Sequence, residues 1–355
     1  MAERYQQKLV KEADGKLHLL QTQSPEYPGP AGTKGFANFD DSNYNLALLH
    51  WLLNALIEAD PASAQTPARK QVLEDLTPLV TGPDGLMIAR NQPVAISHRH
   101  YSHLLALYPL FQLSPDDTDD RALVDKSVTH WHHKDGGKML AGYSFTGAAS
   151  LYAALGRGDD AVGMLTYFIT APKLGTSYLS QTTFYFETGG KNPVIETPLS
   201  AGAAIIELLL QSWGGKLRPF PAVPQSWAEA SFADLRGQGG FLVSAQRLAG
   251  TTAWVAVESL AGEPCVVKVD DWKTVVPVAR GQREFAVKTV APGEFSIDLK
   301  QGERVILSAS DQQGDFIVRS IPHPAAESNR FGVKAGDVVP LTHVWPEQMP
   351  TTASP

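Results

Sequence analysis

Cysteine is nearly absent from this chain: Cys265 is the one example, so no internal disulfide can form and no cysteine pair can hold a zinc ribbon or an iron–sulfur cluster. The compartment stays open, because a chain that buries a large core can do without bridges even in oxidising surroundings. Long apolar runs are missing too. No window approaches the ~18 apolar residues of a membrane span, and the first segment, MAERYQQKLVKEADGKLHLL, is charged and lacks the apolar stretch of a signal peptide. A chain without an export signal or a membrane partner is expected. There is no basic excess: 30 Lys and Arg face 37 Asp and Glu, a net charge of −7. Phosphate-backbone binding needs the opposite balance, so nucleic acid is not an expected partner. Neither a dinucleotide or phosphate-binding glycine loop nor a G-x-S-x-G elbow occurs in helix or strand context.

What is present is ordinary globular composition over 355 residues, with 43% apolar and 19% charged side chains, enough for a sizeable core and two or three domains. Two regimes follow one another. Up to about Trp213, apolar residues recur at helical spacing, best at Leu46, Leu49, Leu53, Leu56 and Ile57 behind the polar run Asp40 to Asn43, which predicts a capped helix over 41–59. Further helices are expected over 67–80, 102–113, 119–133, 142–156, 158–170 and 200–212. The last is apolar almost all round and is expected to be buried between other helices. Trp51, Trp131 and Trp213 read as core residues of helices.

After Gly214 the pattern becomes short β-rich runs at 241–245, 252–257, 265–269, 274–278, 285–287, 295–299 and 304–307, separated by turns such as Ala249-Gly250 and Pro292-Gly293. This spacing predicts a small antiparallel β-sandwich. The expected division is a helical domain over 1–213, a β-sandwich over 214–310 and an irregular tail over 311–355. Helix pairs followed by a sandwich suggest a helical toroid, or part of one, with an appended β-domain.

Ionisable residues at the expected helix ends mark three segments: Ser24-Pro25-Glu26-Tyr27, His98-Arg99-His100-Tyr101-Ser102-His103 and Asn192-Pro193-Val194-Ile195-Glu196. Glycoside hydrolysis requires two carboxyl groups, one to protonate the leaving oxygen and one to activate water or attack the sugar, and Glu26 with Glu196 would supply them. Most glutamates, however, are simply solvated surface groups. His98, His100 and His103, joined by His130, His132 or His133, have three readings: sugar contacts, satisfied structural imidazoles, or ligands of a hydrolytic zinc. No carboxylate lies within that cluster to serve as ligand or base. The aromatic run Tyr178, Phe184, Tyr185 and Phe186 is suited either to stacking on a sugar or to core packing.

Taken in order, SPEY at 24–27, HRHYSHLLALYP at 98–109, AGYSFTGAASLYAALGRGDDA at 141–161, VIETPLSAGAAIIELLLQS at 194–212, LRPFPAVPQSW at 217–227 and LRGQGGFLV at 235–243 resemble glycoside hydrolase family 95. This is the α-L-fucosidase and α-L-galactosidase group, and the likeness runs from about Leu17 to Leu307. Forms such as DSNYNLALLHW resemble an outlying branch. The resemblance implies a mainly α plus β architecture, an (α/α)6 barrel followed by a β-sandwich, and inverting, cofactor-free and metal-free removal of a terminal α-L-fucosyl or α-L-galactosyl residue from a glycan. Glu26 takes the place of the general acid. Glu196 stands where the family has an aspartate that polarises the attacking water, with an arm one methylene longer. Tyr27, His98, Arg99, His100 and His103 would border the sugar.

In the family, an asparagine pair that helps position the water precedes the SPE segment. Here only 23 residues precede Ser24, and Asn43-x-Asn45 lies on the other side of Glu26, so the role is not carried over. The expectation is therefore a partial barrel, the C-terminal portion of a family member. It would act either as a hydrolase, alone or with a chain carrying the missing half, or as an inactive carbohydrate-binding or assembly module.

Overall fold

The computed structural model describes residues 7–28, 36–170, 173–174, 177–178, 185–187, 192–278, 283–309 and 316–318. Among them are six α-helices and several small antiparallel sheets: α1 (Asn43–Ala59), α2 (Thr66–Asp75), α3 (Thr118–His133), α4 (Gly142–Ala154), α5 (Gly158–Thr170) and α6 (Glu196–Leu209). The tail expected over 311–355 lies outside the described residues apart from 316–318, and none of the helices is long and apolar enough to cross a membrane.

α1 starts where its polar run allows: Ser42 is extended, with φ −66° and ψ 129°, and its hydroxyl accepts the Asn45 N–H at 3.4 Å. Leu46, Leu49 and Leu53 then bury one stripe against Leu19 and Leu76. Trp51 lies off that stripe and is 47% exposed, not a core residue. α2 is shorter than the expected 67–80 because Pro78 restricts Thr77 to extended backbone, and the Thr77 N–H leaves the helix for the Leu17 carbonyl. α3 is capped by Asp117, whose carboxylate accepts the Asp119 and Asp120 N–H groups.

The expected helix over 102–113 does not form. Only Ser102–Leu104 makes a single 3-10 turn, since Pro109 has no N–H to give and the chain instead folds its later amides, Gln112 and Leu113, onto the Ala106 carbonyl. α6 begins four residues before the expected 200 because Pro198 falls in its first turn, where a missing N–H costs nothing. It ends at Leu209. Leu210–Gln211 pairs as a strand with Arg218–Pro219, so Trp213 is buried but lies outside any helix. Nor is α6 buried all round: Leu199, Ile205 and Ile206 are exposed, while Thr197, Ala204 and Leu208 are buried.

α4 is the centre of the helical unit, with every residue buried except Tyr143. Around it Trp131, Tyr101, Phe145, Leu151, Tyr152 and Leu165 form one core cluster. The second core belongs to eight strands: β1 (Ala230–Gly237), β2 (Phe241–Leu248), β3 (Thr251–Ser259), β4 (Cys265–Lys268), β5 (Val276–Val278), β6 (Val287–Ala291), β7 (Glu294–Ile297) and β8 (Arg304–Ser308). They form two antiparallel sheets, β1-β2-β3-β8-β5 and β4-β7-β6. Val243, Val257 and Val305 pair across the first and meet Cys265, Val267, Phe295 and Ile297 of the second in one cluster. Burial pushes the Cys265 thiol up to about 12, which makes it a packing residue, not a nucleophile.

An ion-pair hub ties the two units together. The Asp116 carboxylate, just before α3, receives Arg218 at 2.6 Å, Lys268 at 2.8 Å and Lys216 at 3.4 Å, all from the β-rich part of the chain. Arg218 also lies over the Trp213 ring, 3.5 Å from its centroid.

Candidate active site

The SPEY segment is a tight turn. The Tyr27 N–H donates to the Ser24 carbonyl at 3.1 Å, with Pro25 second and Glu26 third, and Glu26 has φ +52°. A turn with proline second and a positive φ third ordinarily uses glycine there, because a Cβ is disfavoured in left-handed backbone. A glutamate in that place presents its carboxyl at the tip. The turn is fixed from below: the Ser24 and Ser102 hydroxyls bond at 2.7 Å, and the buried Tyr27 hydroxyl accepts the Ala95 N–H at 3.0 Å.

The HRH loop lies over this turn. The Trp131 indole N–H donates to the His98 carbonyl at 2.9 Å, and the Ser144 hydroxyl donates to the Arg99 carbonyl at 2.8 Å. Its side chains then divide between the core and the surface. His98 is buried, edge-on to Tyr27, with Nε2 3.3 Å from the Pro25 carbonyl, so that nitrogen carries the proton. Arg99 and His100 point outward: the Arg99 guanidinium pairs with the Glu26 carboxylate, and His100 Nε2 lies 3.3 Å from the same oxygen. Burial, reinforced by a neighbouring cationic or imidazole group, lowers His98 and His100 to about 4, so both are neutral at ordinary pH.

Arg99 and His100 line a cavity of about 260 Å3 with Glu196, Ala141, Tyr143 and Ser144. Glu196 is exposed in the first turn of α6, where the helix dipole favours negative charge. The structure thus gathers Glu196, Arg99 and His100 around one space and places Glu26 against two of its walls. His98, Tyr27 and His103 are instead buried and are not among the residues that line it. His103 is buried with neither ring nitrogen hydrogen-bonded, and burial lowers it to about 3. Tyr27 serves the core, packed with Phe39, Ile88 and Val94.

Three lining residues, Ala141, Tyr143 and Ser144, were not singled out from the sequence. Their signal was a serine three residues into an apolar helix, able to take the Ala141 N–H (3.1 Å), with an aromatic residue beside it. Asn43 and Asn45 are spent on structure: the Asn43 amide bonds Val80 and Met87 backbone, and that of Asn45 bonds the Gln23 carbonyl. Phe184 lies outside the described residues, and of Tyr178, Tyr185 and Phe186 only the backbone is described. Among the described residues, no three His, Cys, Asp or Glu side chains converge to hold a metal ion.

Comparison with known families gives two matches that together span both structural units. The model described as glycosyl hydrolase family 95 catalytic domain matches residues 1–209, and the model described as glycoside hydrolase family 95, C-terminal domain, matches residues 211–307. No curated protein matches the chain.

Proposed function

Because the chain belongs to glycoside hydrolase family 95, we propose that it hydrolyses a terminal α-L-fucosyl or α-L-galactosyl linkage with inversion, in the cavity bordered by Glu26 and Glu196. One observation carries this reading: a carboxylate in left-handed turn backbone shares Arg99 and His100 with a cavity whose further wall is a second, helix-terminal carboxylate. Backbone strain retained at a charged turn tip is what a functional group produces more readily than a structural one.

In this mechanism Glu196, at the start of α6, polarises the attacking water, and Glu26 delivers a proton to the departing oxygen. Arg99 favours the ionised form of Glu26, so the acid role requires Arg99 to turn from Glu26 to the sugar hydroxyls as substrate enters. Its side chain is 42% exposed, which leaves it free to do so. Neutral His100 then accepts or donates one hydrogen bond at the ring edge. Residues 1–213 would be the catalytic unit, an arc of an (α/α)6 barrel, and 214–310 a β-sandwich that braces it through Asp116.

A second reading, sugar binding without turnover, is favoured by the cavity lining: among the described residues that line it there is no asparagine amide to share the water with Glu196. Assays on nitrophenyl α-L-fucoside and α-L-galactoside separate the two. Turnover that disappears in Glu26→Gln and Glu196→Gln supports hydrolysis; retention of glycoside binding with no turnover in the unaltered chain supports the module.

A further inference from the structure

The polar residues of the cavity do not account for its remaining wall. Tyr143 stands at the second position of α4 and is 39% exposed, the one residue of that helix not withdrawn from solvent. Its ring is parallel to that of Tyr101, within 5°, at a centroid distance of 5.5 Å. Tyr101 is buried and meets the Trp131 ring edge-on at 5.4 Å. Space for this tier is made inside α4 itself: a Cβ at Gly147 would overlap the Tyr101 ring, so a helix-interior glycine, otherwise destabilising, is used to admit it. Trp131 also holds the His98 carbonyl, so a hydrogen bond joins the aromatic tier to the HRH loop.

We infer that Tyr143 is the platform on which the sugar ring lies, with Tyr101 and Trp131 as the residues that position it. This rests on the glycosidase reading of the same cavity. A pyranose is two-sided: its hydroxyls radiate from the edge, and one face can present several C–H groups with partial positive charge. An aromatic face is negative, and attracts them as it does other edge-on hydrogens. The cavity has the matching two-sidedness, with Arg99, His100, Ser144 and Glu196 offering charges and hydrogen bonds, and Tyr143 an apolar plane. A sugar ring with its C–H face on Tyr143 leaves its hydroxyl edge to Arg99 and His100 and its anomeric region to the carboxylates. The underlying stack fixes the plane before binding, so little side-chain freedom is lost. The ligand class is a deoxyhexose or hexose with an unobstructed C–H face, not an anion or a flat aromatic.

The test uses the full chain with L-fucose and L-galactose titrated by proton NMR, and KM from the nitrophenyl glycosides. Ring-face C–H protons are expected to shift upfield on binding, as they do above an aromatic plane. Tyr143→Ala is expected to weaken binding and raise KM at least about tenfold, a change of ~1.4 kcal/mol. Tyr143→Phe and Tyr143→Trp keep the plane and stay within about threefold of the unaltered chain, and circular dichroism confirms each variant is folded. Tyr143→Leu, which keeps apolar volume without a π face, falls between. Binding by Tyr143→Ala within about twofold of the unaltered chain, or a Phe variant as weak as the Ala variant, overturns the platform while the glycosidase reading stands. An unaltered chain that neither binds nor turns over any glycoside overturns that reading, and the platform with it.

Discussion

The guanidinium of Arg99 closes on the carboxylate of Glu26, a residue held in left-handed turn backbone. The pair is assembled from segments that are 73 residues apart in sequence. Arg99 itself is steered by the Ser144 hydroxyl on its carbonyl, so helix α4, through its first turn, decides where the Glu26 partner stands.

Removing this cation makes the protonated acid easier to keep. In Arg99→Met the alkaline limb of the kcat/KM against pH profile is therefore expected to move to higher pH, since that profile reports the free enzyme. Because Arg99 also meets the sugar in the proposed mechanism, kcat/KM at the optimum should fall roughly tenfold or more. An unshifted limb would show that Glu26 does not set it.

Turn strain at Glu26 gives a stability test independent of turnover. Left-handed backbone costs a residue with a Cβ about 1–2 kcal/mol, and glycine almost none. Glu26→Gly should unfold at higher denaturant than Glu26→Ala, by a difference of about 1 kcal/mol, while both lose activity. Equal stability of the two variants would mean the turn is relaxed in solution.

Acid should destabilise the helical unit well before carboxylates titrate. Burial holds His98 and His100 at about 4, and His103 and His132 at about 3, against about 6.5 for an unfolded chain. These depressed values mean that the stability is complete above the unfolded value and is lost as pH falls from about 6.5 toward 3–4, because the unfolded chain binds the extra protons. Each fully buried imidazole contributes on the order of 2 kcal/mol to the loss between pH 7 and 5. Calorimetry should show the unfolding midpoint falling over that interval, and His103→Gln flattening the fall. A midpoint independent of pH from 7 to 5 would contradict the buried neutral imidazoles.

Asp116 joins the helical unit to the sheets. Burial opposes its ionisation, but hydrogen bonds from Arg218 and Lys268 outweigh this and hold its carboxyl well below the usual range. Its contribution is present above the unfolded carboxyl value of about 4 and is lost as acid overtakes the lowered one. Asp116→Asn should cost about 2 kcal/mol at neutral pH and split one unfolding transition into two, measurable by differential scanning calorimetry. A single unshifted transition would show that the hub carries no coupling.

Periodicity made α1, α3, α4 and α5 legible to within a residue or two, because each buries a stripe or a whole surface and begins at a capping signal or after a glycine. It failed where local chemistry overrode it. The run at 102–113 has helical spacing, but Pro109 cannot supply its amide; the helix expected from 200 starts at Glu196, because Pro198 fits a first turn. Strand β1 was missed because the register slips between Phe232 and Leu235, with Asp234 in left-handed backbone, and the alternation is broken there. At the site, Glu26, Glu196, Arg99 and His100 stood out by residue type and order. His103 and Tyr27 have the same polar character in sequence, yet folding buries them away from the cavity lining, a distinction that depends on which way neighbouring side chains of each segment turn. Tyr143 carried no sign of its exposure until Tyr101 was seen to lie under it.

The most direct measurement of the two-carboxylate account is proton NMR of the first sugar released from nitrophenyl α-L-fucoside or α-L-galactoside, made on the unaltered chain and on Glu26→Gln and Glu196→Gln. The β-anomer is expected to appear first, and release to fall by a factor of about a hundred or more in each variant. Release of the α-anomer first, or turnover by either variant at the unaltered rate, would contradict the two-carboxylate account.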